Sequence, residues 1–271
     1  MKIGKVGGWL IFPTAAALLV ATFLLVGCGS NITATIRERG STTVQPLAEK
    51  LASAFEADNP SIDVDIQDGG SAFGITSVNA GTADIGAASR ELTSSDPPLV
   101  KHLLAREGIA IIVPLSNPVT NLTKDQVIAI FSGNITNWSQ VGGPNKGIDV
   151  VAREEGEGTR NAFQDLVMGE VLIRADITVT SNGELKTTVY NDSQAIGFIS
   201  MGYVDNSVKA LAFNGVAATE ENVKNGTYFI VRPLYFLTKT QPTGAVKDFI
   251  DFCTGPDGQR IVAEEGYITA Y

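Results

Sequence analysis

Apolar residues recur at Val44, Leu47, Ala48, Leu51 and Phe55, three or four positions apart, and Asn59-Pro60 follows them. That spacing predicts one buried face of a helix, ended by the proline. The period then changes. Ile62, Val64 and Ile66 alternate with Asp63 and Asp65, as on a strand with one face inward. Gly69-Gly70-Ser71 opens a second helix through Ile75 and Val78, and residues 83–88 read as a short buried strand. The stretch LVKHLLAREG, which holds His102, reads as a helix, and residues 109–113 as a longer apolar strand. Residues 29–36 form a tether into the first strand. Strands and helices thus alternate, the signature of an α/β fold.

The pattern restarts beyond residue 122. Residues 123–131 predict a helix with Thr123 as N-cap and Gln126 three positions on, a capping box. Strands follow at 149–152, 177–179 and 195–200, with a helix at 184–190 between the last two. Residues 229–238 read as a strand interrupted by Pro233, as in a chain crossing between domains. Two helices, 243–253 and 256–265, finish the chain. No short-period repeat or low-complexity segment is present.

The 271 residues suffice for one large domain or two ordinary ones. With 44% hydrophobic and 18% charged residues, a sizeable core is expected and wholesale disorder is not. Lys2 and Lys5 precede an apolar run over 9–26, broken only by Pro13, Thr14 and Thr22 and ending in Leu25-Val26-Gly27-Cys28. This reads as a secretory signal over residues 1–27. Its ending resembles a lipobox, in which Cys28 would be lipidated and become the mature N-terminus, on a tether over 28–39. An uncleaved membrane anchor is the alternative. Either way the remainder lies outside the cytoplasmic membrane. That remainder carries 18 basic against 29 acidic side chains, a net −11 within the chain's −9. Such a balance argues against nucleic acid as a partner but leaves a small anion open, because a local field need not follow net charge. With Cys28 acylated, Cys253 has no disulfide partner and is expected to be a buried structural thiol. Two distant cysteines and the single His102 make no metal site, and no cofactor is implied. His102 itself is expected at a surface or a helix cap.

Four loops stand out, each ahead of an expected helix: Gly40-Ser41-Thr42-Thr43, Gly69-Gly70-Ser71, Ser89-Arg90, and the stretch REEGEGT from Arg153 to Thr159. Helix starts offer free N–H groups, hydroxyls add neutral donors, and arginine adds a planar fork that fits oxyanions. Singly, these are ordinary caps, turns and surface ion pairs. Together they point to an anion held at one crevice. No G-x-x-x-x-G-K-[ST] loop occurs, so the pattern is not that of a nucleotide hydrolase.

The blocks GSTTVQPLAE, DGGSAFGI, GTADIGAASREL, REEGEGTRNAF, AIGFISMGYV and FIDFCTGPDGQRIVAEEGYI together resemble the phosphate-binding proteins of ABC importers (PstS-type), from Gly40 to the end of the chain. The resemblance implies the two-lobed periplasmic-binding-protein, or Venus-flytrap, fold, each lobe a central mixed β-sheet flanked by helices. The lobes would be residues 31–113 with 232–271, and residues 114–231. It implies capture of inorganic phosphate between the lobes and delivery to a membrane permease, without catalysis, by a protein expected to be a monomer. Carried over position by position, ligand contacts fall on Ser41, Thr42, Thr43, Ser71, Ser89, Arg90, Arg153, Gly158 and Thr159.

Glu157 departs from the family, which has serine there. An ionised carboxylate accepts a hydrogen bond from a P–OH group but meets only lone pairs on sulfate. Glu157 is therefore either a selective acceptor for protonated phosphate, offset by Arg153, or a surface residue turned to solvent or paired with Arg160. Two other functions stay open. The same fold could take sulfate, molybdate or tungstate. A phosphate-ester hydrolase could use Ser41 or Thr42 as nucleophile, but it would need a base, and His102 is the only histidine.

Overall fold

Alternation along β1 (Ala34–Gly40) turns Ile36, Glu38 and Gly40 inward and Thr35 and Arg37 outward. The computed structural model describes Met1, Gly4 and residues 31–271, so Cys28 and its leader lie outside the described residues. β1 begins inside the 28–39 stretch expected as a tether, because Ile36 has an apolar cluster to enter, formed with Leu47, Leu51 and Phe55. Those three residues lie on α1 (Gln45–Asp58), whose first turn holds a proline where no N–H is needed.

The order continues with β2 (Ile62–Asp68), α2 (Ser71–Ala80), β3 (Ile85–Ala88) and β4 (Val100–Pro114). Then come β5 (Asn121–Leu122), α3 (Lys124–Phe131), β6 (Asp149–Arg153), α4 (Gly158–Phe163), β7 (Ile177–Val179) and α5 (Asn182–Asn191). β8 (Ala195–Ser200), β9 (Val208–Ala210), β10 (Ala212–Phe213), α6 (Glu220–Lys224), β11 (Val231–Thr238), α7 (Gly244–Thr254), α8 (Pro256–Glu264) and β12 (Ile268–Thr269) complete it. The Thr123 capping box forms on α3 with both reciprocal hydrogen bonds.

The sheet runs β2-β1-β3-β11-β4-β8-β6-β7. β1 lies parallel to β2 and β3, and β6 parallel to β7 and β8, as βαβ connections require. β11 is antiparallel to β3 and β4. β4 has 15 residues and so reaches about 50 Å. Its first half pairs with β11 and its second half with β8 and β9. The apolar clusters change partners with it. Leu104 and Ala105 pack with α1, α7 and α8, whereas Ile109 and Ile111 pack with α3, α4 and β8. On β11 the same change falls between Val231, packed against the cluster of Ile109, and Leu234, in the cluster of Leu104. Glu107 and Arg232, which face each other in the β4–β11 register, sit at both crossings.

Two local expectations fail. LVKHLLAREG is strand, not helix: its backbone pairs with β11 on one side and β12 on the other, and that pairing overrides a weak helical spacing. His102 is half-buried there, with Nε2 2.9 Å from Thr238 Oγ1. No helix follows Ser89-Arg90; a loop leads from β3 to β4. Cys253 is buried beneath α7 among Phe249 and Val262, and burial pushes its thiol well up.

Glu38 is 2% exposed on β1, and its Oε1 finds no partner among the described residues. Burial pushes its carboxyl up from the ordinary 4.5 to about 8; nearby Arg39 opposes this, and Glu49 and Asp65 add to it. The folded state then holds a proton that the unfolded chain has released. The contribution to stability is full below pH 4.5 and is lost as pH rises to about 8, at up to about 1.4 kcal/mol per pH unit. Urea unfolding across that range should give a falling stability, and Glu38→Gln should flatten the slope by the share of one proton. Identical slopes would place the titration elsewhere.

Candidate functional site

The parallel strands β1, β2, β3 and β6 end at Gly40, Asp68, Ala88 and Arg153, and the four loops singled out in the sequence begin where these strands stop. Crevices at the carboxyl ends of such strands are where α/β folds place ligands. Ser41 Oγ donates to Ser89 Oγ at 2.9 Å, and Ser71 Oγ accepts from the Ser89 N–H at 3.1 Å. Thr43 Oγ1 lies 3.4 Å from Thr159 Oγ1. Arg153 Nη1 donates to Thr42 Oγ1 at 3.3 Å. Gly158 completes the cluster by absence: a Cβ there would overlap the Ser71 and Ser89 hydroxyls. Ser41, Thr42, Thr43, Ser71, Ser89, Arg153, Gly158 and Thr159 are therefore brought together, and all are buried.

Glu157 joins them. It stands at the N-cap of α4, but its carboxylate does not cap the helix. It accepts from Arg153 Nη2 at 2.8 Å, with 14% of its side chain exposed. The carboxylate lies over Gly70, whose φ of 87° and missing Cβ leave the room it occupies. It thus neither points to solvent nor pairs with Arg160, which donates instead to the Arg153 carbonyl at 2.9 Å. Burial pushes the Glu157 carboxyl up, while Arg153 and the Ser71 N–H pull it back. Arg153 also donates to the Thr180 carbonyl at 2.6 Å, and its buried Nε–H has no partner among the described residues.

Arg90 is not part of the group. It follows Ser89 and turns to the opposite side, as successive extended residues do. There it grips Asp96 through two bonds of 2.7 and 2.9 Å, and that grip holds the Asp96 carboxyl down at about 2.

Several residues that motif reading passed over complete the floor. Arg232 donates from Nη1 to Thr159 Oγ1 at 2.8 Å and from Nη2 to Thr43 Oγ1 at 3.1 Å. Glu107 holds it at 2.6 Å and also accepts from Ser200 Oγ. Asn182, at the start of α5, donates to Thr43 Oγ1 at 2.9 Å, and Tyr203 donates its hydroxyl to the Thr42 carbonyl at 2.8 Å. The available signal was a charged residue breaking an apolar strand, in VRPLYFLT and in AREGIAIIV. The arrangement can hold a small, acceptor-rich group by oriented hydroxyls, N–H groups and guanidinium. Among the described residues no His, Cys, Asp or Glu cluster could hold a metal.

A family model described as a PBP superfamily domain matches residues 29–257. The phosphate-binding protein PstS of Bacillus subtilis is 34% identical over 235 residues, covering 84% of this chain and 78% of that protein. A structure from Clostridium perfringens, described as a phosphate ABC transporter substrate-binding protein with bound phosphate, superposes with a TM-score of 0.84 at 39% identity, over 88% of this chain and 100% of that one. An ABC-type phosphate transport receptor from Vibrio cholerae gives a TM-score of 0.73 at 40% identity, over 86% and 99%.

The Arg90–Asp96 pair is nearly buried, at 6% and 12% side-chain exposure. Arg90→Met should lower the unfolding free energy by about 2 kcal/mol, because Asp96 loses a charge-assisted pair and keeps only its Thr93 partners. Asp96→Asn added to it should cost little more, since both changes break one interaction. Denaturant titration of the two variants gives the answer, and additive losses would contradict it.

Proposed function

The chain belongs to the PBP superfamily and, within it, to the PstS-type phosphate-binding proteins, and from that premise we propose that it captures inorganic phosphate outside the cytoplasmic membrane and hands it to an ABC-transporter permease. The observation that carries this reading is the buried convergence of six hydroxyls and two guanidiniums, with an Arg153 N–H still lacking an acceptor. A tetrahedral oxyanion supplies acceptors on every side, which such a set of donors requires.

The ligand contacts in this reading are Ser41, Thr42, Thr43, Ser71, Ser89, Arg153, Glu157, Gly158 and Thr159. Arg90 drops out because Asp96 occupies its fork. The two lobes, residues 31–113 with 232–271 and residues 114–231, close over the ligand. The change of apolar partners along β4 supports a division of this kind and draws the first crossing toward Gly108. Binding without catalysis is favoured over ester hydrolysis: Ser41 shares its proton with Ser89, and the chain's one histidine is engaged with Thr238. The protein acts as a monomer, held at the outer face of the membrane by a lipid on Cys28. Cys28→Ser should move it from the membrane fraction to the soluble one, and retention would point to an uncleaved anchor.

Glu157 is the selective acceptor in this reading. Its placement beside Arg153 and Ser71, turned from solvent, supports that role over a surface one. An ionised Glu157 accepts the proton of hydrogen phosphate and repels sulfate. Calorimetric titration should give tight phosphate binding, weak sulfate binding, and arsenate between them. Glu157→Ser should narrow the phosphate-to-sulfate ratio by on the order of tenfold. An unchanged ratio would end the acceptor role, and preference for sulfate, molybdate or tungstate in competition would reassign the ligand.

A further inference from the structure

We propose that Arg232, fixed by Glu107, is a positioning residue that orients the hydroxyl protons of Thr43, Ser89 and Thr159 toward the bound anion. The inference rests on the phosphate reading and adds a residue that none of the family's motif positions supplies.

The argument is one of hydrogen-bond direction. A guanidinium and an amide NH₂ can only donate. Thr43 Oγ1 receives Arg232 Nη2 at 3.1 Å and Asn182 Nδ2 at 2.9 Å. The Asn182 amide cannot be turned round, because its Oδ1 accepts from the Ser200 N–H. Both lone pairs of Thr43 are thereby engaged, and its single proton must leave in the remaining direction. Ser89 Oγ receives Arg232 Nη1 at 3.3 Å and the Ser41 hydroxyl at 2.9 Å, which leaves its proton the Ser71 hydroxyl, 3.4 Å away and long for an O–H···O bond, or a ligand. Thr159 Oγ1 accepts from Arg232 Nη1 at 2.8 Å. The 3.4 Å separation of Thr43 from Thr159 is long for an O–H···O bond, so that pairing leaves Thr43 poorly satisfied. An oxyanion between these hydroxyls would accept every proton that Arg232 has turned away from itself.

The guanidinium can do this only if it does not move. Glu107 accepts from Arg232 Nε at 3.1 Å and from Nη2 at 2.6 Å, and both residues lie on strands that run between the two apolar halves. One arginine at the crossing thus sets protons on loops from both halves. Thr43 and Ser89 come from one side, Thr159 from the other.

The test is calorimetric titration of the full-length chain with inorganic phosphate. The parent is compared with the paired exchange Glu107→Met/Arg232→Met, with Thr43→Val, and with the three changes combined. Removing both ions together leaves no buried charge unpaired, so the exchanged protein should melt close to the parent. It should bind phosphate roughly 30-fold more weakly. Thr43→Val should weaken the parent by a similar factor and have little further effect in the exchanged background, because the unoriented hydroxyl no longer donates. Exchange that leaves affinity within about threefold, or a Thr43→Val loss equal in both backgrounds, overturns the role and leaves Arg232 purely structural. If the exchanged protein does not fold, Arg232→Lys takes its place in the same cycle. It keeps the charge but lacks the fork, and the same two outcomes decide. A parent that fails to bind phosphate at all would sink the phosphate reading itself, separately from the cycle.

Discussion

Burying a guanidinium and a carboxylate costs several kcal/mol for each ion unless nearly every donor and acceptor finds a partner. Arg232 and Glu107, 1% and 4% exposed, come close to that condition. The guanidinium gives six hydrogen bonds, to Glu107, Ser89, Thr43 and Thr159, and the second carboxylate oxygen takes the Ser200 hydroxyl. The pair therefore fixes more than itself. It sets the register of β4 against β11 where apolar packing changes from one cluster to the next, and it ties the ends of β1, β3 and β6 to one point. A buried pair of this kind is weak evidence for stability, and here its hydrogen bonds fix the positions of Thr43, Ser89 and Thr159.

What the sequence made legible was local. The alternation of periods, the Thr123–Gln126 box and the Gly-hydroxyl loops at strand ends are written within a few residues, and each appears where its pattern places it. Loops such as GSTT and GEGT gather glycine and hydroxyl side chains at a strand-to-helix turn, a context that short windows reveal. What stayed hidden was set at long range. Arg232 and Glu107 are 125 positions apart, and Asn182 and Thr43 are 139 apart. Only strand register and the meeting of separate loops join them. LVKHLLAREG misled for the same reason, since pairing with β11 and β12 outweighs its local spacing. Arg90 misled in a different way: motif position gave its place, but its side chain turns to a carboxylate six residues on.

Charge in the cleft is balanced pair by pair. Arg153 stands with Glu157, and Arg232 with Glu107. Neither guanidinium is free to act as a bare cation, so attraction for an anion must come from oriented dipoles: hydroxyl protons, backbone N–H groups and the unpaired Nε–H of Arg153. Such dipoles act only at contact distance, and only where water is kept out. This is compatible with the acidic surface. At physiological ionic strength exposed charges are screened within about 8 Å, so the carboxylates outside the cleft oppose an approaching anion only weakly. On the phosphate reading, selectivity would fall to the one ionisable acceptor in the group, Glu157. A donor-only cage would hold any tetrahedral oxyanion of suitable size. In the proposed reading Glu157 makes one position require a proton on the ligand, which hydrogen phosphate carries near neutral pH and sulfate does not. Arg153 holds that carboxylate in place and offsets its charge, so in this reading the requirement would cost the site little of its attraction for the anion.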